Sequence, residues 1–286
     1  MSQRRDPFGL KHIATYPAPL RLGCFVLVLA LLWLPLATPL YLLLRDDPNR
    51  ASIVTMVLLG LMFIGLLYNW GKWIYGYRRP FSHYGLVCSS CNVQELAQGL
   101  GLGLGLVFIL FSTIALLGWA QWQPSPQGWL YLGRWVAEGS LTAIAVGLGE
   151  ELCFRGWLLD ELERDYSGAI ALWANGLIFA LLHFIKPWSE VLRTFPQFPG
   201  LLLLGLILVW AKRRSHDRLG LAIGLHAGLV WGYYIINVGN LIRITGVVPD
   251  WVTGVDRNPL AGLMGIGFLT VVALGMRDRQ RVRDEG

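Results

Sequence analysis

Apolar positions along this chain fall in long unbroken runs, not in the alternation of a half-buried strand or the single stripe of a soluble helix. Leu22–Leu44, Ala51–Gly71, Leu96–Gly133, Leu219–Leu241 and Pro259–Met276 contain no Asp, Glu, Lys or Arg. About 20 apolar residues carry an α-helix across the hydrocarbon core of a bilayer. Continuous runs favour helices over a barrel, whose strands alternate. The pattern predicts spans over 21–44, 51–74, 96–119, 136–160, 168–185, 199–211, 219–237 and 259–276. The expected fold is therefore all-α, a polytopic transmembrane bundle of about eight helices, with residues 1–286 forming a single integral membrane domain. The span at 199–211 is short, so tilt or local thinning of the bilayer is expected there. Pro35 and Pro39 are expected to kink the first span. That span starts too late, runs too long and lacks the small-x-small exit of a cleaved leader, so it is expected to remain in place.

Composition agrees with the pattern: 55% of the 286 residues are hydrophobic, 15% are charged, and the mean hydropathy is +0.51. A soluble domain carries more charge. The net charge of +6 does not indicate a nucleic-acid partner, because the basic residues gather at helix ends, where they set topology and meet anionic lipid. Arg4, Arg5, Lys11, Lys72, Arg78, Arg79, Arg164, Lys212, Arg213, Arg214, Arg218, Arg277, Arg279, Arg281 and Arg283 fall on one side of the expected spans. Only scattered basic residues such as Arg45, Arg50, Lys186, Arg193, Arg243 and Arg257 fall on the other. The asymmetry predicts a multi-pass protein of the cell membrane with both termini in the cytoplasm. Trp119, Trp122, Trp129 and Trp251 read as interfacial anchors.

Two sequence features resemble known devices only superficially. Gly99, Gly101, Gly103 and Gly105 alternate with leucine, but no strand precedes them and no acidic residue follows at the distance a nucleotide fingerprint needs. Gly101 and Gly105 instead read as a small-residue face for close helix packing. Cys88 and Cys91 form a CxxC with only His83 nearby. A structural zinc site wants four ligands, so two ordinary loop thiols are the simpler reading.

The chemistry gathers where the membrane pattern is broken, at Gly149-Glu150-Glu151-Leu152-Cys153-Phe154-Arg155. Adjacent carboxylates in an apolar stretch are expensive and mark a functional site by default. Glu151 and Arg155 are four apart, in the favourable order for a helical ion pair. Glu150 is turned about 100° away. This predicts a division of labour, with Glu151 held by Arg155 and Glu150 left as a general base. Two more residues stand in apolar helices: His183, four after Phe179, and His226 in Leu-His-Ala-Gly. A lone histidine of this kind is more often a hydrogen-bonded core residue than a catalyst, but two of them beside a buried acid change the balance. Glu150 lies 16 residues before Tyr166 and His183 lies 17 after it, so an antiparallel hairpin sets them at nearly one height. His226 counts as somewhat shallower, about 12 Å above Arg218.

Glu-Glu-x-x-x-Arg at 150–155, Phe-x-x-x-His at 179–183 and the intramembrane His226 together resemble the CPBP family, which includes the type 2 CAAX prenyl proteases and the Abi proteins. The resemblance covers roughly residues 135–240. It implies an intramembrane endopeptidase without a metal or other cofactor: Glu150 activates water with help from His183, and His226 stabilises the oxyanion. Glu151 and Arg155 take the supporting places. The family's Asn or Asp four residues after the third-motif histidine is Val230 here. Losing one oxyanion donor costs about 2.7–4 kcal/mol, and Trp231, Asn175 or Asn237 would have to substitute.

The implied partner is a membrane-embedded or lipid-anchored peptide in the bilayer, reached through a polar cavity from the cytoplasmic side. The sequence leaves oligomeric state open. Val230 motivates a second reading, a membrane binding or regulatory protein of the same fold. A proton-coupled transporter would want inverted repeats or broken helices, and neither is evident. A buried polar network that only fixes helix packing is the remaining alternative. Elsewhere His12 and His216 read as solvated, His83 as facing lipid headgroups, and Asp160, Glu161, Glu163 and Asp165 as a solvated turn.

Overall fold

The computed structural model describes residues 10–284, and the side chains of residues 10–277. Arg4 and Arg5, and the side chains of Arg279, Arg281 and Arg283, lie outside the described residues. After a 3-10 turn at Leu10–Thr15 come α1 (Ala18–Leu43), α2 (Pro48–Trp73), the short α3 (Pro80–His83) and α4 (Ser90–Leu116). Strand β1 (Ala120–Trp122) leads to α5 (Trp129–Glu151), a π-helical turn at Leu152–Leu158, α6 (Leu159–Glu163) and α7 (Gly168–Leu182). The chain continues through α8 (Trp188–Thr194), α9 (Phe198–Arg214), α10 (Gly220–Val238), β2 (Ile242–Ile244), α11 (Asp250–Thr253) and α12 (Leu263–Asp284).

The bundle is helical, as expected from the apolar runs. Local chemistry explains several starts: Asp47, Ser89 and Ser167 accept a hydrogen bond from the backbone N–H three residues on, at the heads of α2, α4 and α7. Each satisfies an N–H that the helix leaves unpaired. α1 runs through Pro35 and Pro39.

Among the described residues five segments are long and apolar enough to cross a membrane: α1, α2, α4, Trp188–Arg214 and α10. Gly168–Leu182 and Leu263–Arg277 are shorter apolar helices. The eight expected spans are thus not all of one kind. The span expected at 199–211 gains length from α8 and the 3-10 turn Phe195–Gln197 ahead of α9. The span expected at 136–160 follows Arg134 and carries Glu138 near its start, and α5 gives way to the π turn within it. The two three-residue strands pair antiparallel, Gln121 opposite Arg243; runs this short left no alternation in the sequence.

Contacts divide the chain into two compact units, Met1–Tyr84 with Asp160–Tyr166, and Gly85–Leu159 with Ser167–Gly286. The first unit is organised by charge. Glu161 is fully buried and accepts hydrogen bonds from Arg21 Nε at 2.7 Å, Trp70 Nε1 at 3.1 Å and the Tyr75 hydroxyl at 2.7 Å. Arg21, also buried, reaches Asp165 at 3.2 Å. Asp160 receives Arg164 at 2.7 Å and contacts His83 Nε2 at 2.9 Å, while the His83 ring stacks on Tyr77 at 3.8 Å. The expectation of a solvated turn at 160–165 is therefore corrected at Glu161, while Glu163, Asp165 and His83 are exposed. The buried Arg21 makes the difference, because a buried cation requires an acid partner.

In the second unit α10 packs along α4 through two facing glycine stripes. A methyl group built on Gly99 would stand 2.6 Å from Leu225 N, and one on Gly103 2.7 Å from Leu229 N. On α10, methyl groups at Gly224 and Gly228 would stand 2.8 Å from Leu100 N and 2.9 Å from Leu104 N. The close face is thus Gly99 and Gly103, whereas Gly101 and Gly105 look into open space. Both pairs have the spacing of a packing face; only the register against α10 decides between them. Above the stripes Val107, Leu110, Phe111, Ile114 and Ile236 form an apolar core that extends to β1 and β2.

Candidate functional site

α5 carries Glu150 and Glu151 in its last turn, directly before the π turn. A π turn breaks the regular backbone pairing and recurs at functional sites. Side chains from two other helices satisfy carbonyl groups of this turn. Asn175 Nδ2 on α7 donates to Phe154 O at 2.7 Å, and the buried Lys212 Nζ on α9 donates to Arg155 O at 2.8 Å. The turn is thereby clamped from both sides.

Glu151 and Arg155 are fully buried and paired at 2.9 Å. Arg155 also donates to Gly205 O at 3.0 Å and lies 4.3 Å from the centre of the Phe179 ring. This matches the i, i+4 pairing in the sequence. Glu150 points elsewhere: it lines a cavity of about 290 Å³ together with Phe179, His183 and His226.

His226 joins the two acids. Its Nδ1 stands 2.8 Å from Glu151 Oε1, and its Nε2 stands 3.9 Å from Glu150 Oε2. A carboxylate only accepts, so Nδ1 carries the proton and Nε2 is the atom turned to Glu150. The shallower placement of His226 is thus corrected. Counting from Arg218 gives a height along one helix, whereas the packing of α10 against α5 sets the relative height of the two helices; Gly147 packs against Ala227 there.

His183 ends α7, and its Nδ1 lies 2.8 Å from Phe179 O. A carbonyl also only accepts, so the proton again sits on Nδ1 and Nε2 is left as the acceptor of the neutral ring. Phe179 meets both imidazoles edge-on, at 4.7 Å from His183 and 6.2 Å from His226.

The three expected oxyanion donors are engaged elsewhere. Trp231 Nε1 donates to Val136 O at 2.9 Å, Asn175 to Phe154 O, and Asn237 Nδ2 to the Tyr233 hydroxyl at 3.5 Å. Val230 itself lines the cavity. The other polar lining residues are Gln197, Tyr233 and Asn258. Tyr233 had a readable signal, since it lies seven residues after His226 on one helical face. Gln197 and Asn258 sit in irregular segments between helices, where spacing carries no information. Among the described residues no three of His, Cys, Asp and Glu are grouped to hold a metal ion, and Cys88 and Cys91 are free and exposed.

The cavity has a direction. Its lining residues are Leu106, Val107 and Leu110 on α4, Leu201 and Leu204 near the start of α9, and Gly265 to Val272 near the start of α12. All lie toward the end of the unit that carries the β1–β2 pair and the segments around Gln197 and Asn258. The opposite end carries Lys212, Arg213, Arg214 and Arg218. Between it and Glu150 the helices are closed by buried Ile207, Leu208, Ala211, Ala222, Ile223 and Leu225. The passage to the side of the basic cluster expected from sequence is filled by packed side chains.

A family model described as Type II CAAX prenyl endopeptidase Rce1-like matches residues 132–232. The matched segment holds Glu150, Glu151, Arg155, His183 and His226 and bears out the resemblance carried by the three motifs. No curated protein and no solved structure matches the chain.

Proposed function

We propose that the segment matched by the type II CAAX prenyl endopeptidase family is the core of an intramembrane endopeptidase that hydrolyses a membrane-embedded or lipid-anchored peptide. One observation carries this reading: an acid and two imidazoles from α5, α7 and α10 meet in a single apolar cavity. Glu150 Oε2 makes no hydrogen bond and so is free to engage a water. In the proposed step Glu150, assisted by His183 Nε2, takes a proton from water as its oxygen bonds to the peptide carbonyl carbon. The carbonyl electrons move onto oxygen, where His226, as an imidazolium that donates Nδ1–H to Glu151 and turns Nε2–H to the oxyanion, polarises them. Collapse breaks the C–N bond, and the proton on Glu150 passes to the leaving amine, giving a carboxylic acid and an amine. Glu151 orients the ring of His226, as the acid of a catalytic triad orients its histidine. The protein functions as a multi-pass membrane protein with both termini in the cytoplasm.

The test compares membrane peptides from cells carrying the wild-type chain and Glu150→Gln at matched expression. Peptides shortened only by the wild type are expected. Val230 favours a second reading, a membrane binding or regulatory protein that has lost efficient hydrolysis, because an apolar side chain lines the cavity where the family usually has a donor. Identical peptide populations alongside a phenotype that survives Glu150→Gln would establish that second reading and refute the first.

A further inference from the structure

The proposed peptidase leaves open from which side, and with which part of its chain, a substrate enters. We infer that the cavity opens on the non-cytoplasmic side and takes an internal apolar segment of an exported or membrane-anchored peptide. This rests on the peptidase reading and deepens it.

The first argument is direction. On α7 the lining begins at Phe179, and on α9 it ends at Leu204. Beyond these points α9 is buried from Gly205 to Val209 and closes against α7, with Phe179 Cδ1 3.3 Å from where a methyl on Gly205 would stand. The floor is sealed by the Glu151–Arg155 pair and by Lys212 on the carbonyl of Arg155. Substrate therefore does not arrive past Arg213, Arg214 and Arg218. These residues, with Arg277 at the same end of α12, mark the cytoplasmic side by the bias of short basic segments. Arg214 Nη1 lies 3.8 Å from Met276 Sδ, which places the ends of α9 and α12 together. At the other end Arg193 pairs with Glu190 and Asp256, and Arg134 with Glu138. Gln197 and Asn258, both half-exposed, stand at that rim.

The second argument is charge. Among the described residues no Lys or Arg lines the cavity, and Glu150 is its one carboxylate. A free C-terminal carboxylate close to the scissile bond would be buried beside Glu150 with no Lys or Arg to receive it, and His226 is already held by Glu151. An internal apolar segment carries no such charge, and the leucine, valine and phenylalanine walls fit it.

The experiment places a cysteine at the rim, Asn258→Cys, with Gln197→Cys as a second variant in case the first misfolds. A membrane-impermeant maleimide is applied to intact cells and to inverted vesicles. Native Cys88 and Cys91, exposed around the start of α4, report the opposite end. The rim cysteine is expected to react in intact cells, and Cys88 and Cys91 only in inverted vesicles. Modification at the rim is expected to slow Glu150-dependent trimming by about tenfold or more, with products cut within the chain. Reaction of the rim cysteine only in inverted vesicles overturns the inference and leaves the peptidase reading intact, provided that trimming persists. Release of short C-terminal peptides from cytoplasmic proteins also overturns it. Absence of Glu150-dependent trimming on either side refutes the peptidase reading and the substrate assignment with it, while the labelling pattern separately decides the direction of the opening.

Discussion

Arg155→Met removes the guanidinium from a fully buried pair and leaves Glu151 with His226 as its remaining partner. Breaking such a pair costs about 3–5 kcal/mol, so thermal unfolding in detergent is expected to show a large loss of stability. Glu151→Gln keeps the shape but weakens the hold on His226. Its expected signature is a fall in kcat with little change in KM, measured on any peptide that the wild type trims. Tyr233→Phe tests the empty donor position. The hydroxyl lines the same cavity as Val230, and if it supplies the missing donor its removal lowers kcat by about 10²–10³; an unchanged kcat excludes Tyr233 from that role. At this scale the sequence was informative where spacing along one helix decides the outcome. The separate roles of Glu150 and Glu151 follow from their 100° offset. Trp231, Asn175 and Asn237 were not legible in the same way, because the carbonyl or hydroxyl each one engages comes from packing or from the local helix turn rather than from motif spacing.

Between helices the decisive feature is the pair of glycine stripes. Gly103→Val drives a branched side chain into the α10 backbone, and overpacking of this kind costs about 1–3 kcal/mol. Gly101→Val points into open space and is expected to stay within about 0.5 kcal/mol. Equal effects of the two substitutions in a thermal-shift comparison would contradict the packing described here. Periodicity identified helices correctly from long apolar runs. It was silent on the π turn, because an i to i+5 hydrogen-bond pattern has no hydrophobic signature. It was also silent on β1 and β2, which are shorter than any recognisable alternation.

Across the whole chain the contact between Arg21 and Glu161 joins residues far apart in sequence. Removing either partner alone strands a buried charge, whereas the double change Arg21→Met with Glu161→Leu is expected to recover much of the lost stability. A double mutant as unstable as the sum of the two singles would refute direct coupling. The same unit responds to alkali. Burial, together with the charge of Asp160, pushes the Tyr77 phenol up to about 12. The unfolded chain ionises this group near pH 10, so its contribution to stability is present below about pH 10 and is lost as the pH rises toward 12. Melting temperature measured over that interval is expected to fall, and Tyr77→Phe to flatten the fall. Neither effect was legible from sequence. Glu161 read as solvated until the fold brought Arg21, Trp70 and Tyr75 to it.

The π turn at Leu152–Leu158 also acts as a rotational spacer. Each residue of an α-helix advances the next by about 100°, and a wider turn accommodates one extra residue before the helix resumes. Upstream, Glu151 is keyed to His226 on α10; within the turn Arg155 is keyed to Glu151 and to Gly205 O on α9. Deleting one residue between Glu151 and Arg155 would turn the two by about 100° relative to each other. Arg155 would then swing away from Glu151, or lose its bond to Gly205 O. The spacing between motifs is thus an angular requirement as much as a linear one, and insertions or deletions in this stretch are expected to be tolerated far less well than substitutions.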